Sequence, residues 1–464
     1  MKRKILQIIF ITTFFLIILI PVIFMNFQQN QISEIDNSKL PELSQVKNLV
    51  SLENYISKRI GFRTEFINIY TRTNDILFKE MVHPSYTYGK NGYVFFKMGV
   101  EKHDDEYLDT FAQLIKNMQQ YVQERGSYFL FVLNPTKISV YNQYLPNGYE
   151  FTNYRVNYLK NKLKELDVNY IDNTECLIEK SLEYQVFNQK YDAGHWNDIG
   201  AFYGINNIYG KLRTDGINIS DLKQSDYEIE YELKNTLPVS EFKINEEVPA
   251  YKLKNINYDF TTLYSKEIKL SQRYKFYMES ENETINNNYN VLFFRGSYMN
   301  DKMKFICNKF SKMTLVHNYE NSINFEYYYN IIEPNIVMFE TVEYAIGEQY
   351  YPSKVMKEKV YNKLYTNYED YENDKIMMNI DQNEILKRIS NDYNAGKVLT
   401  TINIDKKDYD YAYLELGKKV YDFSYQDNRS EITLPVSLLL NKEFKIILVS
   451  EKENRQQIIR IGEK

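Results

Sequence analysis

The first clear pattern in the chain is an uninterrupted apolar segment near its N-terminus. Residues 5–25 are uncharged and almost wholly apolar, and the only basic residues among the first 33 are Lys2, Arg3 and Lys4. At 1.5 Å per residue, a helix of this length measures about 30 Å, which suits the core of a bilayer. No small-residue cleavage motif follows it. The pattern predicts a single-pass signal anchor over residues 1–27 of a cell-membrane protein, with the bulk of the chain extracellular.

The next segment, residues 28–100, is interpreted as a stalk followed by a helix and a hairpin. Residues 28–50 are polar, and over 51–79 apolar side chains recur with a period near 3.6, which predicts a helix. An Asn-Gly pair at 91–92 then lies between apolar flanks and predicts a β-hairpin over 88–96. This segment leads into the main domain.

Between residues 101 and 350, helical patterns alternate with short apolar runs. The helices are predicted at 104–125, 152–167, 198–212 and 298–310, and the strands at 128–133, 168–171, 290–296, 313–317 and 335–339. Alternation of this kind predicts an α/β domain built on a doubly wound parallel sheet. The rhythm is lost over about 215–289, which is interpreted as an irregular or β-rich insertion.

The C-terminal part follows a different pattern. Charged, tyrosine-rich sequence over 351–395 is interpreted as a connector. Within residues 396–464, four short apolar runs separated by turns are expected to be strands, at 411–416, 431–436, 444–449 and 457–461. Four short strands of this kind predict a small β-sandwich-like domain.

Composition limits the classes of partner and site. The 464 residues, 44% of them hydrophobic, suffice for more than one domain. The net charge is −5 and no basic stripe is present, which argues against a nucleic-acid partner. The cysteines are Cys176 and Cys307, for which a disulfide and two free thiols both remain open. No Cys-x-x-Cys or His-rich cluster indicates a metal.

Candidate chemistry begins with Asp192 and His195, in a chain that has four histidines. A carboxylate three residues before an imidazole can accept its Nδ1 proton and leave Nε2 free as a general base. Taken alone, such a pair is more often a structural hydrogen bond. His317, which ends a predicted strand, is the rival base.

A base needs a nucleophile, and the candidate is Ser297. It follows an apolar strand and Gly296, at the predicted start of the helix at 298–310. In open α/β sheets this edge lines the ligand crevice, and the backbone N–H of a serine there can face a developing oxyanion. A serine that caps a helix is commonplace, but together with the Asp-x-x-His element it favours a serine esterase or acyltransferase.

The motifs as a set resemble a known family. The shared segments occur in the same order along the chain, at 60–63, 89–95, 134–141, 145–146, 192–196, 200–201, 294–297 and 334–337. The chain resembles the SGNH-hydrolase-like family of AlgJ and AlgX type, whose members are anchored or exported and O-acetylate polysaccharides. The family usually has one residue between its Asp and His and an Asp before its serine. Here two residues separate Asp192 from His195, and Gly296 precedes Ser297.

The resemblance implies transfer of an acyl group, in particular acetyl, to a cell-envelope polysaccharide or exopolysaccharide without a cofactor or metal. Asp192 would orient His195, His195 would deprotonate Ser297, and Ser297 would carry the acyl group. A multi-pass membrane O-acyltransferase is the expected acyl donor. Two alternatives stay open: a non-catalytic polysaccharide-binding or assembly scaffold with a decayed triad, and a carbohydrate esterase.

Four further residues are candidates for substrate binding: Lys137, Tyr141, Trp196 and Arg295. Lys137 and Tyr141 follow a strand end and could line the crevice, and a surface role is equally compatible with their positions. Trp196 could stack on a sugar, although a core aromatic beside the histidine is the favoured interpretation.

Overall fold

The computed structural model describes residues 2–29, 31, 39–83, 85–97, 104–238, 242–366, 371–373, 380–405, 409–426 and 429–462. Parts of the predicted stalk and of the predicted connector lie outside these ranges.

Helices lead the chain into its main domain: α1 (Lys2–Ile23), α2 (Leu49–Arg59) and α3 (Arg63–Phe78). Within α1, Arg3–Ile23 has a mean hydropathy of 2.7 and is long and apolar enough to cross a membrane, judged by length and composition. The single helix predicted over 51–79 is interrupted between α2 and α3. The interruption follows from the backbone, because Ile60 is extended and Phe62 adopts a positive φ of 57°.

The predicted hairpin is confirmed as strands β1 (Tyr86–Tyr88) and β2 (Val94–Phe96), which pair antiparallel. Asn91 and Gly92 have φ values of 54° and 78° in the connection, a backbone conformation that asparagine and glycine accept readily.

The main domain is built on a sheet that has seven strands in the described part of the chain. The strands between residues 128 and 342 are β3 (Tyr128–Asn134), β4 (Tyr170–Asp172), β5 (Tyr227–Thr236), β6 (Lys243–Leu253), β7 (Asp259–Thr261), β8 (Tyr277–Glu281), β9 (Asn290–Arg295), β10 (Lys312–His317) and β11 (Ile336–Val342). The sheet order is β4-β3-β11-β9-β10-β8-β7, and the pairings from β4 to β10 are parallel. The carboxyl ends of β3, β11, β9 and β10 therefore meet at one edge, where ligands bind in such sheets.

The region predicted as an insertion, residues 215–289, contributes strands in two ways. β5 and β6 form an antiparallel ribbon of their own, and β8 pairs antiparallel with β10 and with β7 at the edge of the main sheet. The region 215–289 is thus β-rich where the structure describes it.

Helices flank the sheet and the strands that follow it: α4 (Asp105–Glu124), α5 (Lys137–Val140), α6 (Tyr154–Glu165), α7 (Thr174–Ser181), α8 (Asp198–Thr214), α9 (Met303–Ile306), α10 (Glu320–Ile323), α11 (Phe325–Ile332), α12 (Ser353–Glu358), α13 (Gln382–Asn394) and α14 (Val436–Leu439). The apolar stripe of α4 is buried, and its first turn is capped by the Asp104 carboxylate, which accepts a hydrogen bond from Tyr107 N.

The helix predicted over 298–310 is wrong as a continuous element. The chain instead forms 3₁₀ turns at Ser297–Met299 and Cys307–Lys309, with the short α9 between them. Asn300 is extended (ψ 134°) and Asp301 has a φ of 57°, and both values interrupt a helix.

Two sheets, antiparallel except for the parallel pairing of the first strand with the last, form the C-terminal domain. Their strands are β12 (Glu372–Asn373), β13 (Leu399–Asp405), β14 (Tyr411–Leu416), β15 (Lys419–Asp422), β16 (Ser424–Gln426), β17 (Arg429–Pro435), β18 (Phe444–Ser450) and β19 (Arg455–Ile461). Their orders are β12-β19-β18-β14-β15 and β13-β17-β16. Ile402 and Ile432 of one sheet share a core with Leu414 and Ile446 of the other, which is the packing of a sandwich.

A buried charge joins this domain to the main one. Asp422 accepts hydrogen bonds from Tyr121 OH on α4 at 2.6 Å and from Nε of Arg125, the residue directly after α4, at 2.9 Å. Asn330 Nδ2 on α11 donates to the Asp422 carbonyl at 2.7 Å. The two domains are therefore connected through the aspartate at the end of β15.

Candidate active site

The loop before α8 holds the predicted acid–base pair in a tight turn. Asp192 adopts a left-handed conformation (φ 48°), which aspartate accepts more readily than most residues, and its carbonyl accepts a hydrogen bond from His195 N. Asn197 then caps α8, accepting a hydrogen bond from Gly200 N at 3.0 Å. The turn thus brings a carboxylate beside an imidazole despite the two intervening residues.

The structure brings together the residues of the predicted triad. His195 Nδ1 lies 2.7 Å from Asp192 Oδ1, and His195 Nε2 lies 3.0 Å from Ser297 Oγ. With the proton on Nδ1, the imidazole donates to the carboxylate and accepts the Ser297 hydroxyl proton. This arrangement can generate a serine nucleophile.

Ser297 begins a 3₁₀ turn immediately after β9, and Gly296 before it lets two side chains approach the backbone closely. A Cβ at position 296 would lie 3.2 Å from both Asn318 Nδ2 and Glu340 Oε2, closer than side chains normally approach. Gly296 N also donates to Glu340 Oε2 at 2.5 Å. The Gly296 N–H is therefore occupied and unavailable to a substrate.

A cleft of about 1340 Å³ opens beside this hydrogen-bonded chain, and His195 lines it. Several of its lining residues are exposed aromatic side chains: Phe96, Tyr149, Phe151 and Tyr344. Exposed aromatic faces in a cleft offer flat apolar surfaces with polar tips for an extended ligand.

Residues 87–239, which include Asp192 and His195, match the family model described as "SGNH hydrolase-like domain, acetyltransferase AlgX". The chain therefore contains an SGNH hydrolase-like domain. The AlgX-type resemblance inferred from the motifs is confirmed by this match. No curated protein matches the chain.

Solved structures also resemble this chain at low identity. Bacillus cereus PatB1 with a sulfonyl adduct is 17% identical with a TM-score of 0.45, covering 56% of this chain and 95% of that one. The O-acetyltransferase domain of Pseudomonas putida AlgJ is 13% identical (TM-score 0.39, 57% and 92% covered). Pseudomonas aeruginosa AlgX is 10% identical (TM-score 0.38, 81% and 90% covered). With TM-scores below 0.5, these likenesses do not bear on the function.

Behind Ser297 lies a buried carboxylate, that of Glu340, which the sequence did not single out. Glu340 accepts from Asn134 Nδ2 at 2.8 Å as well as from Gly296 N, and Asn318 Nδ2 donates to its carbonyl at 2.6 Å. Burial raises the pKa of Glu340. The sequence feature that could have identified Glu340 is its position directly after a predicted apolar strand, at the sheet edge where ligands bind.

Tyr344 is a second residue that sequence reasoning did not assign. Its hydroxyl lies 3.1 Å from Ser297 Oγ, and its ring is exposed in the cleft. Burial of the hydroxyl raises the pKa of Tyr344 to about 12, so the phenol stays protonated near neutral pH and can donate a hydrogen bond.

Two of the four predicted substrate-binding residues are buried against protein partners. Lys137 Nζ donates to the carbonyls of Val94 at 2.7 Å and Gln189 at 2.9 Å, and burial lowers the pKa of Lys137 to about 7. The Tyr141 hydroxyl accepts from Val186 N at 3.2 Å. These contacts hold the hairpin and the loop before α8 in place, and substrate binding by either residue stays a prediction.

The other two predicted substrate-binding residues, Trp196 and Arg295, are buried as well. Trp196 Nε1 donates to the Tyr298 carbonyl at 2.7 Å, and its ring lies against Gly204, where a Cβ would come within 2.4 Å. The Arg295 guanidinium lies over the Phe276 ring at 3.5 Å and donates to Asn300 Oδ1 at 2.5 Å. Trp196 therefore links the histidine loop to the serine turn, and sugar contact by Trp196 or Arg295 stays a prediction.

The rival base His317 ends β10 in an aromatic environment. Its ring stacks on Tyr274 with a centroid distance of 4.9 Å, and its Nδ1 has no hydrogen-bond partner in the described part of the chain. Burial, with a smaller contribution from the Arg295 charge, lowers the pKa of His317 to about 4. The imidazole within hydrogen-bond distance of Ser297 is that of His195. Cys176 and Cys307 are both free thiols.

Glu343 is a half-buried carboxylate of the cleft. Its Oε2 accepts from Ser139 Oγ at 2.5 Å and from Thr136 N at 3.0 Å. Burial raises the pKa of Glu343 from 4.5 to about 7. Between pH 4.5 and about pH 7, the Glu343 carboxyl group therefore keeps its proton in the folded chain and has lost it in the unfolded chain.

The stability of the fold is therefore expected to fall as the pH rises from about 4.5 to about 7, by up to ~3 kcal/mol from Glu343 and less where water reaches the carboxyl group. Glu343→Gln keeps an acceptor and should remove this part of the decline. The measurement is the free energy of unfolding of both proteins across this pH range. Glu150→Gln, an exposed carboxylate of the same cleft, is the control. Parallel pH curves for wild type and Glu343→Gln would contradict the assignment.

Proposed function

We propose that the chain is a membrane-anchored acyltransferase that transfers an acyl group, in particular acetyl, to a cell-envelope polysaccharide or exopolysaccharide outside the membrane. The observation that carries the proposal is the hydrogen-bonded chain Asp192–His195–Ser297 beside an aromatic cleft. It occurs in a chain whose residues 87–239 match an acetyltransferase family.

In the proposed mechanism, His195 Nε2 takes the hydroxyl proton as Ser297 Oγ bonds to the acyl carbonyl carbon of the donor. Collapse of the tetrahedral intermediate breaks the bond to the donor's oxygen, which receives that proton, and leaves an acyl ester on Ser297. A sugar hydroxyl then gives its proton to His195 and attacks the ester carbonyl carbon. Collapse of the second tetrahedral intermediate breaks the bond to Ser297 Oγ, which takes the proton back from His195, and releases the acylated sugar. Asp192 keeps the imidazole in the required tautomer and stabilises the imidazolium.

The oxyanion requires hydrogen-bond donors, for which we propose Ser297 N–H and the Tyr344 hydroxyl. Tyr344 is suitable because its hydroxyl is protonated and lies 3.1 Å from Ser297 Oγ. The Gly296 N–H is excluded because Glu340 accepts its hydrogen bond. Since the serine begins a single 3₁₀ turn, the expected stabilisation comes from these individual donors and not from a long helix.

The cleft supports a carbohydrate acceptor. Its volume of about 1340 Å³ exceeds that of a small acyl donor, and its exposed aromatic rings are suited to stack on sugar faces. The apolar helix α1 supports anchoring at the cell membrane, with the bulk of the chain extracellular. A multi-pass membrane O-acyltransferase remains the proposed source of acyl groups and the proposed partner.

The alternatives differ in acceptor and in activity. An esterase would use the same three residues with water in place of the sugar hydroxyl. A scaffold would bind the polysaccharide without chemistry, and the intact spacing of the three side chains gives no sign of a decayed triad.

The test uses the full-length protein in detergent with p-nitrophenyl acetate as donor, with and without a panel of neutral and acidic oligosaccharides. Transferase activity predicts acetylated oligosaccharide, detected by mass spectrometry, together with faster p-nitrophenol release when acceptor is present. Release that is independent of acceptor would identify an esterase. No turnover under either condition would favour the scaffold.

A further inference from the structure

Helix α3 and the residue before it present an apolar stripe to the outside of the molecule. We use the name α3 stripe for six residues: Phe62, Phe66, Ile69, Tyr70, Ile76 and Leu77. Their exposed fractions lie between 42% and 67%. At 100° per residue they fall within an arc of about 120°, the width of a face that globular proteins normally bury.

The polar side of α3 faces the protein instead. The Asp75 carboxylate accepts a hydrogen bond from Tyr88 OH on β1 at 3.0 Å, and Thr71 on the same side is half-buried. The half-buried Ile67 lies on this side as well, so α3 faces the protein with a mainly polar side and leaves the α3 stripe outside. This orientation needs an apolar environment outside the domain.

The beginning of α3 is fixed to the end of the apolar helix α1. Gly61 N donates to the Pro21 carbonyl at 2.9 Å, and a Cβ at Gly61 would come within 2.5 Å of Phe24 O. The rings of Phe24 and Phe62 are 5.2 Å apart at their centroids. The first residue of the α3 stripe thus touches the segment that leaves α1.

Arg59 strengthens this junction from inside. Its buried guanidinium donates to the carbonyls of Asn26 at 2.9 Å, Gln28 at 2.7 Å and Pro41 at 2.6 Å. Asn26 N in turn donates to the Arg59 carbonyl at 2.8 Å. These bonds join the end of α1, the segment after it and α2 into one unit, so the position of α1 determines the position of α3.

We propose that the lipid bilayer covers the α3 stripe, with α3 embedded in the interfacial region of the leaflet from which α1 emerges. When α1 spans the bilayer, Pro21 and Phe24 lie near its outer boundary, and Phe62 lies at the same depth because it contacts Phe24. Aromatic and aliphatic side chains partition into this region, and Tyr70 has the amphipathic ring that interfaces favour.

The charge of this part of the chain suits a bilayer that contains anionic lipids. Residues 49–79 contain five basic and three acidic residues, whereas the chain after residue 27 contains 62 acidic and 54 basic residues. Arg63, Arg72 and Lys79 can interact with anionic headgroups while the stripe contacts acyl chains. Membrane contact would thereby extend from a single helix to a two-helix platform.

The test places a fluorescent label at single cysteines in the full-length protein. Cys176 is replaced by serine, the buried Cys307 is kept, and Ile69→Cys is labelled with bimane. The protein is reconstituted into vesicles of phosphatidylcholine and phosphatidylglycerol that carry nitroxide-labelled acyl chains. Labels at Ile69→Cys should be quenched several-fold more strongly than labels at Leu182→Cys, a matched apolar position directly after α7 that is 84% exposed.

Equal quenching at the two positions in these vesicles would overturn the proposal. Shielding of Ile69→Cys that appears only in native membranes, where other proteins are present, would also overturn it and identify a protein as the occupant. A second variant keeps the test independent of the label position. Ile69→Glu should weaken quenching of a label at Phe66→Cys, and unchanged quenching there would count against membrane contact by the stripe.

Discussion

Replacing Ser297 with alanine should lower acetyl turnover on the order of 10⁴-fold or more while leaving the fold intact. The substitution removes the proposed nucleophile, whose hydroxyl makes hydrogen bonds to His195 at 3.0 Å and Tyr344 at 3.1 Å. Ser297 is only partly buried, so the loss of these bonds should change the free energy of unfolding by no more than ~1 kcal/mol. The measurements are kcat/KM with p-nitrophenyl acetate and the thermal unfolding midpoint.

Companion variants separate chemistry from folding. Asp192→Asn should also lose activity on the order of 10⁴-fold, because an amide no longer holds the His195 tautomer that accepts the serine proton. Ser181→Ala removes a hydroxyl on α7 that bonds only the Ile178 carbonyl, and it should retain near-wild-type activity. If Ser297→Ala still turned over acetyl esters at the wild-type rate, Ser297 would not be the nucleophile.

The parallel sheet could be predicted from sequence because its strands are buried on both faces. The runs that became β3 and β9 are continuously apolar over residues 128–133 and 291–294, and such runs identify buried strands with little dependence on context. The segment after Ser297 was misread as a helix because it has buried apolar residues at helical spacing, namely Met299, Met303, Ile306 and Phe310. They are buried in the core, but the backbone at Asn300 and Asp301 interrupts the helix, and side-chain pattern alone does not reveal that interruption.

The candidate site likewise contains residues that local sequence patterns identify and residues that they do not. Asp192 and His195 are neighbours in sequence, and Ser297 carries its own strand-and-glycine signal, so local patterns suffice to nominate them. Tyr344 and Glu340 come to the serine because β11 lies between β3 and β9 in the sheet. Strand order depends on how distant segments pair, and no local pattern in the chain encodes it.

The second large effect is expected at the junction of the two domains, where Arg125→Ala should destabilise the protein by ~3–5 kcal/mol. The guanidinium bonds both oxygens of Asp422, with Nε at 2.9 Å and Nη2 at 3.1 Å, and lies over the Tyr121 ring at 3.5 Å. Without it, a buried carboxylate keeps only the Tyr121 hydroxyl as a side-chain partner among the residues described. The measurement is the free energy of unfolding in urea.

The size of this effect should depend on burial, which a matched surface pair can test. Lys312 and Glu281 form an ion pair of similar length, 2.9 Å, but both side chains are largely exposed, so Lys312→Ala should cost at most ~1 kcal/mol. The double variant Arg125→Met with Asp422→Leu removes both charges and should recover much of the stability that Arg125→Ala loses. If Arg125→Ala were no more harmful than Lys312→Ala, the Asp422 contact would not be what holds the β-sandwich to α4. The C-terminal domain would then depend on its other contacts with the main domain, such as the ion pair of Lys419 with Glu333. Limited proteolysis near residues 351–395 should in that case release it no faster from Arg125→Ala than from wild type.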